Sequence, residues 1–124
     1  MQPSTKKGKL LRTSISLSVS IVHLYDHIEK KSYLKNQLAR AATAIGANIH
    51  EATYAESSDD FIHKLRIALK ECHETEYWLT ILSESMPHLA EDAQLLRKKA
   101  GEIRFMLISS IKTRLDSSNK AKQK

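Results

Sequence analysis

His23 and His27 are the residues whose spacing comes nearest to a metal-binding pair. They lie four positions apart in a segment with helical periodicity, so their imidazoles would share one face, one turn apart. Two neighbouring imidazoles can bind a metal ion, but no third ligand lies near them in the sequence. Two interpretations stay open: a shared metal ion, or a pair of histidines on the protein surface.

Motifs typical of catalysis are otherwise missing. A di-iron bundle needs two Glu-x-x-His motifs, and the nearest approach is Asp60-x-x-His63, whose histidine is predicted to point outward. Cys72 and His73 are adjacent and diverge on a helix, and Cys72, the single cysteine, falls on a core stripe. No glycine-rich phosphate loop, His-Glu-x-x-His or Cys-x-x-Cys is present. The sequence predicts a protein that is not an enzyme and needs no cofactor.

The elements that carry these residues are predicted to be helices. Only three Gly and two Pro occur in 124 residues, and apolar residues repeat with helical periodicity. The predicted helices run from about Lys9 to Lys30, Tyr33 to Glu56, Ser58 to Ser85 and Leu89 to Leu115, with Ser32 and Ser58 as N-caps. Short connections favour an all-α, up-down-up-down antiparallel four-helix bundle. The domain organisation is a disordered basic N-terminus (1–8), the bundle (9–116) and a basic C-terminal tail (117–124).

The side chains predicted to fill the core form one stripe on each helix. The stripes are Leu10, Leu17, Ile21, Leu24 and Ile28; Leu34, Leu38, Ala41, Ala42, Ile45, Ile49 and Ala52; Phe61, Ile62, Leu65, Ala68, Leu69, Cys72, Leu79 and Leu82; and Leu89, Ala93, Leu96, Ala100, Ile103 and Leu107. Gly46 interrupts a helix and indicates a close backbone approach or a bend. Asn48 and Glu76 fall on or beside inward faces, where they either fix the register or form a polar site.

A second face remains after the core is filled. Apolar, small and charged residues share this sector of the second and third helices, which fits a surface for self-association. The predicted oligomer interface consists of Arg40, Ala44, Ala47, Glu51, Ile67, Glu71, Glu74, Trp78 and Ile81. One hypothesis is that Arg40 pairs with a carboxylate of a neighbouring subunit. The alternative is that the core faces are simply wide.

The net charge of +6 resides in the two ends of the chain. Residues 1–12 and residues 112–124 each carry a net +4, whereas residues 13–111 carry −2. Such ends favour an anionic partner such as RNA or DNA, although they also serve as plain solubilising tails. The candidate nucleic-acid-binding residues are Lys6, Lys7, Lys9, Arg12, Lys112, Arg114, Lys120, Lys122 and Lys124. Without a membrane span or a convincing signal peptide, the expected location is cytoplasmic.

Two segments resemble a known family. RAATAIGANIHE at 40–51 is similar to the Arg-Ala-Ala…Ile-x-Ala-Asn-Ile-x-Glu-Gly segment of the four-helix bundle proteins first noted in intervening sequences of 23S ribosomal RNA genes. LKECHETEYWL at 69–79 resembles the following Leu-Lys-Glu-Cys-x-Glu-Thr-x-Tyr-Trp-Leu motif. Departures are Gly46 where Pro is frequent, His50 where Ala is frequent, and Ala52 with Thr53 where Gly is usual.

The resemblance implies a homopentamer without established enzymatic activity. In a related branch, the accessory protein of diversity-generating retroelements, a basic surface contacts nucleic acid and a reverse transcriptase. Two functional hypotheses follow for this chain. The first is an oligomeric module that binds RNA or DNA through its basic tails and rims, with a nucleic-acid enzyme as a further partner. The alternative is a scaffold for protein assembly with no nucleic-acid role.

Overall fold

The structure, a computed structural model, describes residues 5–122 and contains four α-helices. They are α1 (Lys6–Tyr25), α2 (Ser32–Ala52), α3 (Ser58–Ser85) and α4 (Ala90–Lys122), and a 3-10 turn at Pro87–Leu89 leads into α4. The part of the chain described holds no β-strand. Each helix packs against two others, so that α1 contacts α2 and α4, and α3 contacts α2 and α4. The predicted all-helical class is confirmed, and the arrangement is consistent with a four-helix bundle.

Local chemistry explains where the helices begin. The Thr5 hydroxyl accepts a hydrogen bond from Gly8 N at 3.0 Å, and the Ser57 hydroxyl accepts one from Asp60 N at 3.1 Å. Both are side-chain N-caps. The predictions that Ser32 caps α2 and that Ser58 caps α3 are wrong. Each serine is the first helical residue, and the caps are Lys31 and Ser57. Lys30 and Lys31 have φ of 57° and 52°, so two consecutive left-handed residues turn the chain into α2.

The helix boundaries at both ends of the chain differ from the prediction. α1 begins at Lys6 instead of Lys9 and ends at Tyr25 instead of Lys30. Residues 6–8 are thus helical, because Thr5 supplies a cap, and residues 1–4 lie outside the described part. α4 continues to Lys122 instead of ending near Leu115. Residues 117–122 contain neither Gly nor Pro, and Lys120 and Lys122 suit the negative end of the helix dipole.

The core lies between the four predicted stripes. Every predicted core residue is buried except Leu69 and Leu96, which are half-buried against the core. Ile28 stays buried although α1 has already ended at Tyr25. Periodicity identified the core because each helix has one wide apolar face that the other helices cover.

Gly46 marks a close approach of α2 to α1 that still has room for a methyl group. A Cβ at this position would lie 3.7 Å from the Ser14 Cβ, an ordinary van der Waals distance, and no described glycine has a positive φ. We expect Gly46→Ala to raise the free energy of unfolding by about 1 kcal/mol, because alanine is the better helix former. Urea unfolding measures this change. Gly46→Leu serves as the contrast, since it should overpack the contact and destabilise the fold.

Candidate functional site

The two basic ends of the chain meet at one end of the molecule. The Lys6 ammonium donates a hydrogen bond to the Ser109 hydroxyl at 2.8 Å, which ties the start of α1 to α4. The Lys7 Nζ lies 4.6 Å from the centroid of the Phe61 ring, and the Arg114 Cζ lies 3.9 Å from it. Residues separated by more than 100 positions therefore form one basic region beside the first turn of α3.

The other predicted basic residues extend this region along α1 and α4. Their side chains are exposed and free to meet a polyanion; these residues are Lys9, Arg12, Lys112, Lys120 and Lys122. Lys124 lies outside the described residues. Acidic side chains also lie close to this end, since Asp59 and Asp60 begin α3 and Asp116 lies on α4. The α1 and α4 side of this end still carries a net positive charge, because residues 6–12 hold four basic side chains and no acidic one, and residues 112–122 hold four basic side chains against Asp116.

A cleft of about 490 Å³ opens at this end of the molecule. We call it the end cleft; Lys7, Arg114 and Phe61 line it together with Glu56 and the hydroxyl-bearing residues Thr5, Thr53 and Ser57. The pKa of Lys7 is lowered, first by partial burial and second by the nearby charge of Arg114. The sequence could not reveal the end cleft, because its wall combines three distant segments of the chain, 5–7, 52–61 and the neighbourhood of Arg114.

Arg40 of the predicted oligomer interface is paired within its own chain. Its Nη1 lies 2.8 Å from the Glu71 carboxylate, and its Nη2 lies 2.5 Å from the Glu74 carboxylate, which also accepts a hydrogen bond from Trp78 Nε1 at 3.2 Å. Glu71 is only 9% exposed. The hydrogen bond from Arg40 is the main reason that the pKa of Glu74 is lowered. This cluster joins α2 to α3, and pairing of Arg40 with another subunit stays a prediction.

Arg40→Met should make stability less dependent on acid pH. A carboxylate whose pKa is lowered in the folded state stabilises the fold at pH values above its unfolded-state pKa of about 4.5. This stabilisation is lost as the pH falls through the pKa of the folded state. At pH 7 the free energy of unfolding of the wild type should therefore exceed that of the variant by about 1 kcal/mol. The difference is no larger because solvent screens half-exposed ion pairs. The difference should shrink below pH 4.5. Melting curves between pH 2 and pH 7 measure it, and a constant difference would contradict the assignment to Glu74.

The remaining predicted interface residues are less available than the sequence suggested. Trp78 and Ile81 are half-buried against the core, and Ile67 and Ala44 are also half-buried. Glu51 is exposed, but its carboxylate forms an ion pair within the chain, with Lys64 Nζ of α3 lying 3.3 Å from Glu51 Oε2. Of the nine residues, Ala47 is the one that is both exposed and apolar.

Compared with the predicted interface on α2 and α3, α1 exposes more large apolar side chains on one face. Ile15, Val19 and Val22 are 36%, 48% and 57% exposed, and they line a groove of about 360 Å³ with Gly46 and Ala47 of α2. We call this the α1–α2 groove. None of these three residues was predicted to belong to an interface. The spacing of four and three residues was the available signal, because it places all three side chains on one helical face.

The two inward polar residues differ in what they join. The Glu76 carboxylate accepts a hydrogen bond from Arg104 Nε at 3.0 Å, so it links α3 to α4 and can fix their register. Asn48 Nδ2 donates to the carbonyl oxygen of Ala44 on its own helix at 2.8 Å. Arg97 and Lys98 lie beside Glu76 in a shallow groove of about 310 Å³. These two residues were not among the predicted binding residues, because residues 13–111 are nearly neutral as a whole.

The histidine pair and Cys72 were the residues with the greatest potential for chemistry in the part of the chain that the structure describes. His23 and His27 are exposed and share a groove with Asp92, but no cluster of three or more potential ligands exists within residues 5–122. The Cys72 thiol is buried and donates to the Ala100 carbonyl oxygen at 3.0 Å. Burial raises its pKa to about 12, so the nucleophilic thiolate does not form at neutral pH.

Among the described helices, none combines the length and the apolar character needed to cross a membrane.

Comparison with known proteins agrees with the helical architecture. The model of the 23S rRNA-intervening sequence protein family matches residues 6–109. The chain belongs to this family. A crystal structure of a protein of unknown function from the S23 ribosomal protein family of Bacteroides thetaiotaomicron VPI-5482 is 40% identical, with a TM-score of 0.80. The match covers 87% of this chain and 99% of that one. No curated protein matches.

The family assignment confirms the resemblance seen in the two sequence motifs. It adds no activity, because the protein of known structure is itself described as having unknown function. The matched segment ends at residue 109. The basic residues Lys112, Arg114, Lys120 and Lys122 lie beyond it, so the family match carries no information about their role.

Proposed function

We propose that this family member is a non-enzymatic, oligomeric helical module that binds RNA or DNA through the basic region formed by the start of α1 and the end of α4. The observation that carries the proposal is the convergence of Lys6, Lys7 and Arg114 through their contacts with Ser109 and Phe61. Eight of the nine predicted basic residues are described, and they thereby share one region on α1 and α4. Clustered Lys and Arg side chains bind phosphates and release the counterions condensed on a nucleic acid.

An up-down-up-down bundle is part of this proposal, and the contacts between α3 and α4 support it. Cys72 contacts Ala100, whereas Ser83 contacts Gln94 further along α3. Residue numbers thus rise along one helix as they fall along the other. In that arrangement the first and last helices place opposite termini at the same end, which is where the basic residues gather.

Self-association is also part of the proposal. The α1–α2 groove supports it, because three exposed aliphatic side chains lie beside small residues that allow close helix approach. A pentamer is the state implied by the family resemblance. A cytoplasmic location and a nucleic-acid enzyme as partner, such as a reverse transcriptase, stay predictions.

A filter-binding series with single-stranded RNA and duplex DNA tests the proposed function. We expect the logarithm of the association constant to fall linearly with the logarithm of the salt concentration between about 50 and 200 mM, as it does when Lys and Arg replace counterions. The slope estimates how many phosphates the protein contacts. Affinity that is absent, or that does not vary with salt, would overturn nucleic-acid binding.

A protein-assembly scaffold is the second candidate, and the exposed α1–α2 groove is the observation that favours it. Removing residues 117–124 separates the two candidates, because it deletes Lys120, Lys122 and Lys124 and leaves the groove unchanged. Weaker nucleic-acid binding with an unchanged number of subunits per assembly supports the first candidate. A wild-type protein that assembles but binds no nucleic acid supports the second.

A further inference from the structure

We propose that the end cleft binds a phosphate group between the Lys7 ammonium and the Arg114 guanidinium. Two sources can supply this group: the terminal phosphate of a nucleic-acid strand or the phosphate of a free mononucleotide. The strand source rests on the proposed function, whereas the mononucleotide source does not. The end cleft adds a specific pocket to a region that would otherwise bind nucleic acid by charge alone.

Among the described residues, the two cations of the end cleft have no carboxylate partner. The ion pairs of residues 5–122 involve Arg40, Lys64 and Arg104, and neither Lys7 nor Arg114 belongs to them. Arg114 donates one long hydrogen bond, 3.4 Å, to the Ser58 hydroxyl, which leaves most of its five N–H donors available. Both cations instead contact the Phe61 ring, which is 6% exposed and therefore held in the core.

The two like charges lie against the same fixed ring, and the repulsion between them has an electrostatic cost. The charge of Arg114 disfavours the protonated form of Lys7, in addition to the effect of partial burial. An anion placed between the two cations would remove that repulsion and favour the protonated amine. Binding of an anion would therefore relieve the repulsion between the two cations.

Phosphate fits this chemistry better than a carboxylate. The guanidinium fork matches two phosphate oxygens, and a phosphate monoester carries close to two negative charges for two cations. Thr53 and Ser57 add hydroxyl groups to the wall. A volume of about 490 Å³ falls in the usual range for small-ligand sites and exceeds what a carboxylate needs. Glu56, the one acidic side chain of the wall, opposes anions but leaves the cleft with a net positive charge.

Fluorescence anisotropy with two short RNA strands tests the strand source. The strands have the same sequence and a 3′ label, and they differ only in a 5′-phosphate or a 5′-hydroxyl end. We expect the wild type to prefer the phosphorylated strand by about tenfold, the effect of gaining charge-assisted hydrogen bonds. Lys7→Met with Arg114→Met should abolish this preference, since methionine keeps an apolar stem against Phe61 but removes the charge.

The matched control removes two exposed cations from the same helices, Lys9→Met with Lys112→Met. This variant should bind both strands more weakly yet keep the preference for the 5′-phosphate. Circular dichroism verifies that each variant is folded. If the Arg114 substitution disturbs folding, Lys7→Gln alone is the test, because Lys7 is exposed and outside the core.

Calorimetric titration with inorganic phosphate and a nucleoside monophosphate tests the second source. Binding to the wild type that is lost with the Lys7 and Arg114 changes supports the proposal, even when the two strand ends are bound equally. The proposal is overturned if the wild type and that variant bind phosphate and the nucleoside monophosphate equally well and also show the same preference between the two RNA strands. Salt-dependent RNA binding in the same experiment would leave the proposed function intact, so the two failures are separable.

Discussion

Replacing Lys6, Lys112, Lys120 and Lys122 together with glutamine should weaken RNA binding by two to three orders of magnitude at about 0.1 M salt. For a single strand, each lost phosphate contact lowers the steepness of the plot of log association constant against log salt concentration by about 0.7. The loss of four contacts should therefore lower it by up to about 2.8. All four side chains are exposed, and the change should leave the core unaffected. Filter binding from 50 to 200 mM salt measures both the affinity and the slope.

A charge-matched control distinguishes a local basic region from general attraction. Lys30, Lys31, Arg66 and Lys70 are exposed, take part in no described ion pair, and lie outside the basic region. Their replacement with glutamine removes the same charge and should lower the slope by far less. Equal losses in the two variants would show that binding follows total charge and would remove the basic region from the proposal.

The sequence predicted the fold well because the fold depends on periodicity. Leu17, Ile45, Leu79 and Ile103 are fully buried, and each belongs to a stripe that repeats every three or four residues. One wide apolar face on each of four helices leaves few ways to bury all of them. The errors occurred at helix ends, where a single cap such as Thr5 decides the boundary.

The candidate sites were less predictable because they depend on contacts between distant segments. Lys7 and Arg114 were each identified as basic, but only the fold places both against Phe61. In the same way, Arg40 was assigned to a subunit interface because it lies on an outer face. Its partners, Glu71 and Glu74, lie on the neighbouring helix of the same chain. Periodicity gives the face of a helix and does not reveal which residues of another helix lie opposite.

Val19→Glu should convert the proposed oligomer into monomers of 14.1 kDa. Val19 is 48% exposed at the centre of the α1–α2 groove, so a glutamate there stays solvated in a single chain and the monomer should remain folded. In an assembly that covers the groove, each subunit would bury an unpaired carboxylate at a cost of several kcal/mol. Every 1.4 kcal/mol weakens association tenfold, so the interface should not survive the change.

Light scattering measures the mass of the wild type and of two variants. Leu95→Glu is the control, since Leu95 is 62% exposed on α4 and lies outside the α1–α2 groove. Its assembly should be unchanged. An oligomeric Val19→Glu protein would show that the α1–α2 groove is not the interface. It would favour the α2–α3 face with Arg40 and Ile67 as the interface. A monomeric wild type would remove self-association itself, and with it the extra affinity that several linked basic regions would give for one nucleic-acid strand.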